Sequence, residues 1–273
     1  MTRIDQFESV FLAAAKEVYR HEDLDIRKAL IVTDLADASE YRQRIQSFLS
    51  PLGEVDWQAE AAGSTVQEVL AAVDEGAPDL VVTYRNLQKG PWQHSLGSQV
   101  DVLTQATDVP VLLTPRPEDD WAGAPCSSVF ALTDHLTGDA RLVHYAVAFT
   151  SGDGELTLAH VEDERVFSRY MEVISKIPEI DTDIAREELE RQLFKEPKDY
   201  IRSVRETLAE VGSQVRVNKV VTKGHHVAAV RGLVRDSGAH LMVLNTKDDD
   251  QDAMHGLAYP LAIEIRDLPM LLL

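Results

Sequence analysis

Short apolar runs alternate along this chain with segments of helical period, and residues 80–114 show the unit most plainly. Leu80-Val81-Val82-Thr83-Tyr84 is apolar almost throughout, the mark of a strand covered on both faces. Gly97-Ser98 opens a helix in which Val100, Leu103 and Thr104 share one side. Asp108-Val109-Pro110 ends that helix and leads into Val111-Leu112-Leu113-Thr114. A buried strand followed by a helix start at Gly-Ser presents free backbone N–H groups to an anion. The order returns near the end: Leu241-Met242-Val243-Leu244, a helix start at Gly256, and Pro269-Met270-Leu271-Leu272-Leu273.

The two stretches keep one register. Gly97 to Pro110 is 110 − 97 = 13 positions, and Gly256 to Pro269 is 269 − 256 = 13. Upstream, Thr33-Asp34 closes Ala29-Leu30-Ile31-Val32, and Thr133-Asp134 closes Val129-Phe130-Ala131-Leu132. Two copies of one fold unit in tandem explain these anchors. Thr33 to Gly76 spans 76 − 33 = 43 positions and Thr133 to Gly238 spans 238 − 133 = 105, so the first unit is trimmed and the second carries an insertion. The reading is an amphipathic N-terminal helix (1–25, with Ile4, Phe7, Phe11, Ala14, Ala15 and Val18 on one face), unit one (26–114), a Pro-rich acidic linker (115–126) and unit two (127–273). In unit two Glu155 to Val161 reads as a strand. Glu162 to Pro197 is charged and helical by composition, and a separate helix is expected over 199–211.

Composition narrows the classes. Aromatics are 6% within a hydrophobic content of 44%, which suits an aliphatic parallel-sheet core. A net charge of −19 argues against nucleic-acid or anionic-membrane partners. One cysteine, Cys126, allows no internal disulfide and points to a reducing, cytoplasmic setting. No apolar run is long enough to cross a bilayer, and Asp5 and Glu8 interrupt any signal-peptide pattern.

The ordered anchors resemble the universal stress protein family. They are Val32-Thr33-Asp34 and Leu132-Thr133-Asp134, then Leu158-Ala159-His160-Val161, then Gly97-Ser98 with Pro110-Val111-Leu112-Leu113, and Gly256 with Pro269-Met270-Leu271-Leu272. The resemblance implies two tandem flavodoxin-like (adenine nucleotide alpha hydrolase-like) α/β domains. Each would have a parallel five-stranded sheet of order 3-2-1-4-5, with the site at the carboxyl ends of the strands. It also implies pairing through the final strands, Val111 to Thr114 and Met270 to Leu273, and a homodimer of tandem chains. Nucleotide-binding positions carried over are Asp34, Gly97, Ser98, Asp134, Val161 and Gly256.

The family's ATP-binding branch places a Gly-x-x-Gly pair before its Gly-Ser, so that backbone approaches phosphate unobstructed. Here Leu87 (97 − 10) and Tyr84 (97 − 13) stand at those places. Unit two lacks both glycines, Leu257 replaces the Ser or Thr, and Asp248-Asp249-Asp250 would repel a triphosphate. The expected reading is therefore a non-catalytic stress-response protein acting through an unknown protein partner, with degenerate pockets and no cofactor. One alternative is an ATP/Mg-binding switch or slow ATPase using Asp34, Gly97 and Ser98. Another is a zinc or small-ligand site built on His160, His225 and His226. No G-x-S-x-G elbow or H-E-x-x-H pair supports a hydrolase.

Overall fold

The computed structural model describes residues 18–61, 65–87, 95–121, 125–133, 136–224, 226–246 and 257–273. Strand β1 (Lys28–Thr33) pairs in parallel with β2 (Asp56–Ala61) and β3 (Leu80–Tyr84), and β3 pairs with β4 (Val111–Thr114). Helices α1 (Ser39–Phe48), α2 (Val66–Gly76) and α3 (Ser98–Ala106) connect them. In the rest of the chain β5 (Ser128–Thr133) lies between β6 (Glu155–Asp163) and β8 (Leu241–Leu244). Beyond these lie β7 (Arg216–Gly224) and β9 (Met270–Leu272). Its helices are α4 (Ala140–Ala148), α5 (Glu164–Ile174), α6 (Thr182–Glu210), α7 (His226–Ser237) and α8 (Ala258–Glu264).

The expectation of two separate five-stranded sheets is corrected. The strands form one nine-stranded sheet, in the order β2-β1-β3-β4-β9-β8-β5-β6-β7. Among the described residues, the chain before the linker contributes four strands, and none of them corresponds to β7. The join is antiparallel, with Val111 opposite Leu272, Leu112 opposite Leu271 and Leu113 opposite Met270. This is the pairing of last strands expected from the sequence. Leu112 and Leu271 are both fully buried, so two edges that would each expose unpaired N–H and C=O groups satisfy one another.

Two local expectations also change. Residues 1–17, which carry most of the expected N-terminal helix, lie outside the described residues. Val18 and Tyr19, expected at its end, are not helical, and Val18 is 61% exposed rather than inward. Tyr19 is buried instead. Its N–H donates to Ser203 Oγ (3.0 Å), its carbonyl accepts from Thr207 Oγ1 (3.1 Å), and its ring lies 5.3 Å from that of His144. His144 Nε2 donates to the Arg20 carbonyl at 2.8 Å, so this segment straps α4 and α6 before entering β1.

The second change is in α6, which does not stop at Pro197 but runs through it from Thr182 to Glu210. An interior proline removes one helical hydrogen bond and costs about 3 kcal/mol. Burial of Tyr200, Ile201, Val204 and Leu208 on the same helix offsets that. The described ends of the linker are packed against the first half. Trp121 stacks edge-on with Phe48 at 5.6 Å, and the N–H of buried Cys126 donates to the Phe48 carbonyl at 2.9 Å.

Candidate functional site

In an open parallel sheet, ligands settle in the crevice at the carboxyl ends of the strands, where β1 and its neighbour β3 lead to loops on opposite sides. In this chain that crevice is furnished by the protein itself. Tyr84, the last residue of β3, is 2% exposed. Its hydroxyl lies 3.0 Å from Thr33 Oγ1, accepts the Asp34 N–H at 2.9 Å and donates to Asp34 Oδ1. Its ring stands edge-on to Tyr41, centroids 5.3 Å apart, and the Tyr41 hydroxyl is 2.8 Å from Thr114 Oγ1 at the end of β4. Burial, helped by the hydrogen bond to Asp34, pushes the Tyr84 phenol up to about 12, so it stays a neutral donor at physiological pH. Asp34 is thereby engaged from within the fold.

The loop after β3 keeps the tight approach expected at Gly97. Asn86 adopts a left-handed conformation (φ 55°), which asparagine tolerates, and donates its N–H to the Leu96 carbonyl at 2.8 Å. Gly97 has φ 100°, and a Cβ there would sit 3.2 Å from Asn86 Cα, so both backbone angle and space call for glycine. Ser98 is the exposed first residue of α3 and makes no cap. One turn on, Asp101 accepts from the Leu96 N–H and bonds the Tyr259 hydroxyl, and burial raises its carboxyl pKa. An internal acid thus already sits at the positive end of this helix. Leu87, at the place of the second missing glycine, is buried.

Arg85 turns the other way. It is 5% exposed, and its guanidinium donates to the carbonyls of Ala262 and Ile265 (2.9 Å) at the end of α8 and of Leu268 (3.5 Å) just before β9. Burial, with Arg266 adding to it and Asp267 opposing, lowers its pKa to about 10, still charged at neutral pH. A cation on the last carbonyls of a helix satisfies groups that have no intrahelical partner. Here it also ties the β3–α3 loop, across the β4–β9 join, to the other half of the chain.

Strand register identifies the matching positions in the second half. Ala29 faces Leu80 and Val129 faces Leu241, so Tyr84 corresponds to Asn245 and Arg85 to Thr246. Asn245 Nδ2 donates to Asp139 Oδ2 at 2.6 Å, and Asp139 Oδ1 accepts the Leu142 N–H at 3.0 Å as the N-cap of α4. Burial raises the Asp139 pKa against these bonds and one from Thr133. Thr246 donates both its N–H (2.9 Å) and its hydroxyl (2.6 Å) to the Leu273 carbonyl. Asp134 and residues 247–256, Gly256 among them, lie outside the described residues. Helix α8 starts at Ala258, with Leu257 as an N-cap that makes no side-chain bond.

Of the histidines, His160 sits in β6 opposite Thr133 and Val221, 7% exposed, with Nε2 3.4 Å from Glu162 Oε2. Its neighbour Val161 is 2% exposed. His225 and the side chain of His226 lie outside the described residues. Among those described, no group of three or more His, Cys, Asp or Glu side chains is placed to hold a metal ion. A cavity of about 320 Å³ lies at the opposite, amino edge, between Ile26, Asp79, Pro110 and Tyr145.

Sequence reasoning missed Arg85, Asp139 and Asn245, and it read Tyr84 only as a missing glycine. The available signal was a tyrosine followed by an arginine straight after a buried strand, where a solvated loop would carry neither.

No family model matches the sequence, and no curated protein does. Among solved structures, the fold is similar to a universal stress protein from Archaeoglobus fulgidus at a TM-score of 0.54. Identity is 12%, over 90% of this chain and 95% of that one. A putative universal stress protein from Pseudomonas aeruginosa aligns at a TM-score of 0.48 and 14% identity, over 100% of this chain and 88% of that one. At these identities the likeness is one of fold: α/β, with a mostly parallel sheet. No helix among the described residues is long and apolar enough to cross a membrane.

Proposed function

We propose that this chain is a non-catalytic stress-response protein of the universal stress class, built as two units in tandem (26–114 and 127–273) and acting through protein contacts. The observation that carries the reading is the Tyr84 hydroxyl on Asp34. The acid that the resemblance assigns to nucleotide binding is held by a buried phenol standing where the ATP-binding pattern needs glycine. Leu87 fills the second glycine position, Asp101 occupies the start of α3, and Asn245 with Asp139 closes the equivalent edge of the second unit. Neither unit then carries a nucleotide or metal as a resident cofactor, and the protein works as a homodimer in the cytoplasm.

Calorimetric titration with Mg-ATP tests this. The expected result is no binding tighter than about 1 mM, equivalent to roughly −4 kcal/mol. Micromolar affinity that disappears in Ser98→Leu overturns it.

A further inference from the structure

Among the described residues the sheet ends on β7, a strand of 9 residues with β6 on one side and no strand on the other. The Arg216 N–H donates to the Gly154 carbonyl at 2.9 Å, which turns the backbone of Arg216, Asn218, Val220 and Thr222 inward to β6. The N–H and C=O groups of Val217, Lys219, Val221 and Lys223 face outward. Arg205 of α6 marks that direction, because its Nε donates to the Val217 carbonyl at 2.8 Å. At the other end the Thr222 hydroxyl reaches the Lys223 carbonyl at 3.4 Å. Between these, the outward groups of Lys219 and Val221 have no partner among the described residues.

Charge says what fits there. The strand carries Arg216, Lys219 and Lys223 and no acid, in a chain of net charge −19. The cations at its two ends are answered from within. Arg216 lies 3.2 Å from Glu155, with Asp153 in the turn before it. Lys223 pairs with Glu190 of α6 at 2.5 Å, and Glu162 and Asp163 stand opposite Lys223 and Gly224 on β6. Lys219, exposed at the centre, makes no ion pair among the described residues, and the β6 residues beside it, Thr157 to Ala159, are uncharged. A carboxylate on a strand added outside β7 would meet it. Pairing with β7 of a second copy would instead bring the same three cations to this edge. An edge lysine thus discriminates: it repels a basic strand and admits an acidic one.

We infer that the outer edge of β7 is a docking site for an extended acidic segment of a partner protein, which adds as a further strand. Main-chain bonds to Lys219 and Val221 hold the segment, and a carboxylate beside Lys219 selects it. The inference rests on the protein-contact role proposed above and gives that role a surface. The two fail separately. Micromolar Mg-ATP affinity overturns the non-nucleotide reading and leaves a docking result standing, whereas loss of docking leaves the pockets as described.

The test uses the full chain and an end-blocked peptide of about nine residues that alternates valine with glutamate, matching the strand it is to pair with. A peptide with lysine in place of glutamate is the control. Salt is set at about 0.15 M, where repulsion between exposed charges is screened beyond roughly 8 Å. Fluorescence anisotropy reads affinity, and amide hydrogen exchange reads position. The expected dissociation constant for the glutamate peptide is about 100 µM or tighter, at least about tenfold weaker for the lysine peptide. Exchange at Lys219 and Val221 should slow on binding. Lys219→Glu, at an exposed position that the fold tolerates, should reverse the preference between the peptides. Val221→Pro deletes one outward N–H and spares the ladder to β6, so it should weaken binding at unchanged circular dichroism. No binding, equal binding of the two peptides, or a preference that Lys219→Glu leaves alone overturns the assignment. So does protection of the same amides by raising the concentration of the chain alone, which would give the edge to a second copy.

Discussion

The two carboxyl edges of this sheet solve one problem with different chemistry. At matching registers, one half uses Tyr84 and Arg85, and the other uses Asn245 and Thr246. Both close the end of the first strand of their half with internal hydrogen bonds. The second half does so locally, through an amide on a helix N-cap and a threonine on the last carbonyl. The first half reaches outward: the phenol takes the acid after β1, and the guanidinium reaches past the β4–β9 join to the end of α8. A position released from holding glycine can thus become either a local lock or a link between halves. Side-chain length decides which.

The widest gap should appear at the 85/246 pair. Arg85→Ala leaves three carbonyls, two at the end of α8 and one just before β9, without their buried donor and opens a cavity, offset in part by removing a buried charge. A net loss of about 3 kcal/mol in urea unfolding is expected. Thr246→Val should cost only about 1 kcal/mol, because the backbone N–H still serves Leu273. Equal costs would erase the distinction between link and lock.

Tyr84→Phe should lose about 1.5 kcal/mol at pH 7 by stripping the hydroxyl from Thr33 and Asp34. The folded phenol titrates above its free value of 10, so its contribution is whole below pH 10 and fades as pH climbs from 10 to about 12. The gap between wild type and Tyr84→Phe should therefore narrow across that window. A gap that holds constant to pH 12 would show that the hydroxyl is not buried against Asp34.

The smallest contrast is at Asp139. Alanine should cost about 1 kcal/mol by removing the cap of α4. Asparagine caps equally well and carries no charge. Because burial raises the Asp139 pKa, the carboxyl favours folding most in acid, and that benefit fades as pH rises above its ordinary 3.8. At pH 7 Asp139→Asn should thus be neutral or slightly stabilising in thermal melts. A loss equal to that of alanine would mean that the ionised form is what the site needs.

The periodic parts of the fold were legible in the sequence. The apolar runs at 80–84 and 241–244 are strands, the shared interval of thirteen positions places both final strands, and the family resemblance implied that those strands pair, as they do with Leu112 opposite Leu271. The failures share a cause. Pro197 obeys a local rule that burial of Tyr200 and Val204 overrides. The Tyr84 to Asp34 and Arg85 to Ala262 contacts join residues 50 and 177 positions apart, and no window of sequence holds both ends. Motif counting showed which residues were absent from the phosphate loop. It could not show what their replacements would touch, because that depends on neighbours supplied by β1 and α8.

The seam between β4 and β9 also sets a timetable. Leu112 leaves the ribosome long before Leu271, and at roughly 5–20 residues per second the wait is on the order of ten seconds. Throughout it, β4 has β3 on one side but not β9 on the other, and Arg85 is a charge without its carbonyls. The chain most exposed to mispairing is therefore the nascent one. Chaperone dependence during translation, rather than refolding yield of the intact protein, is where that vulnerability would be felt.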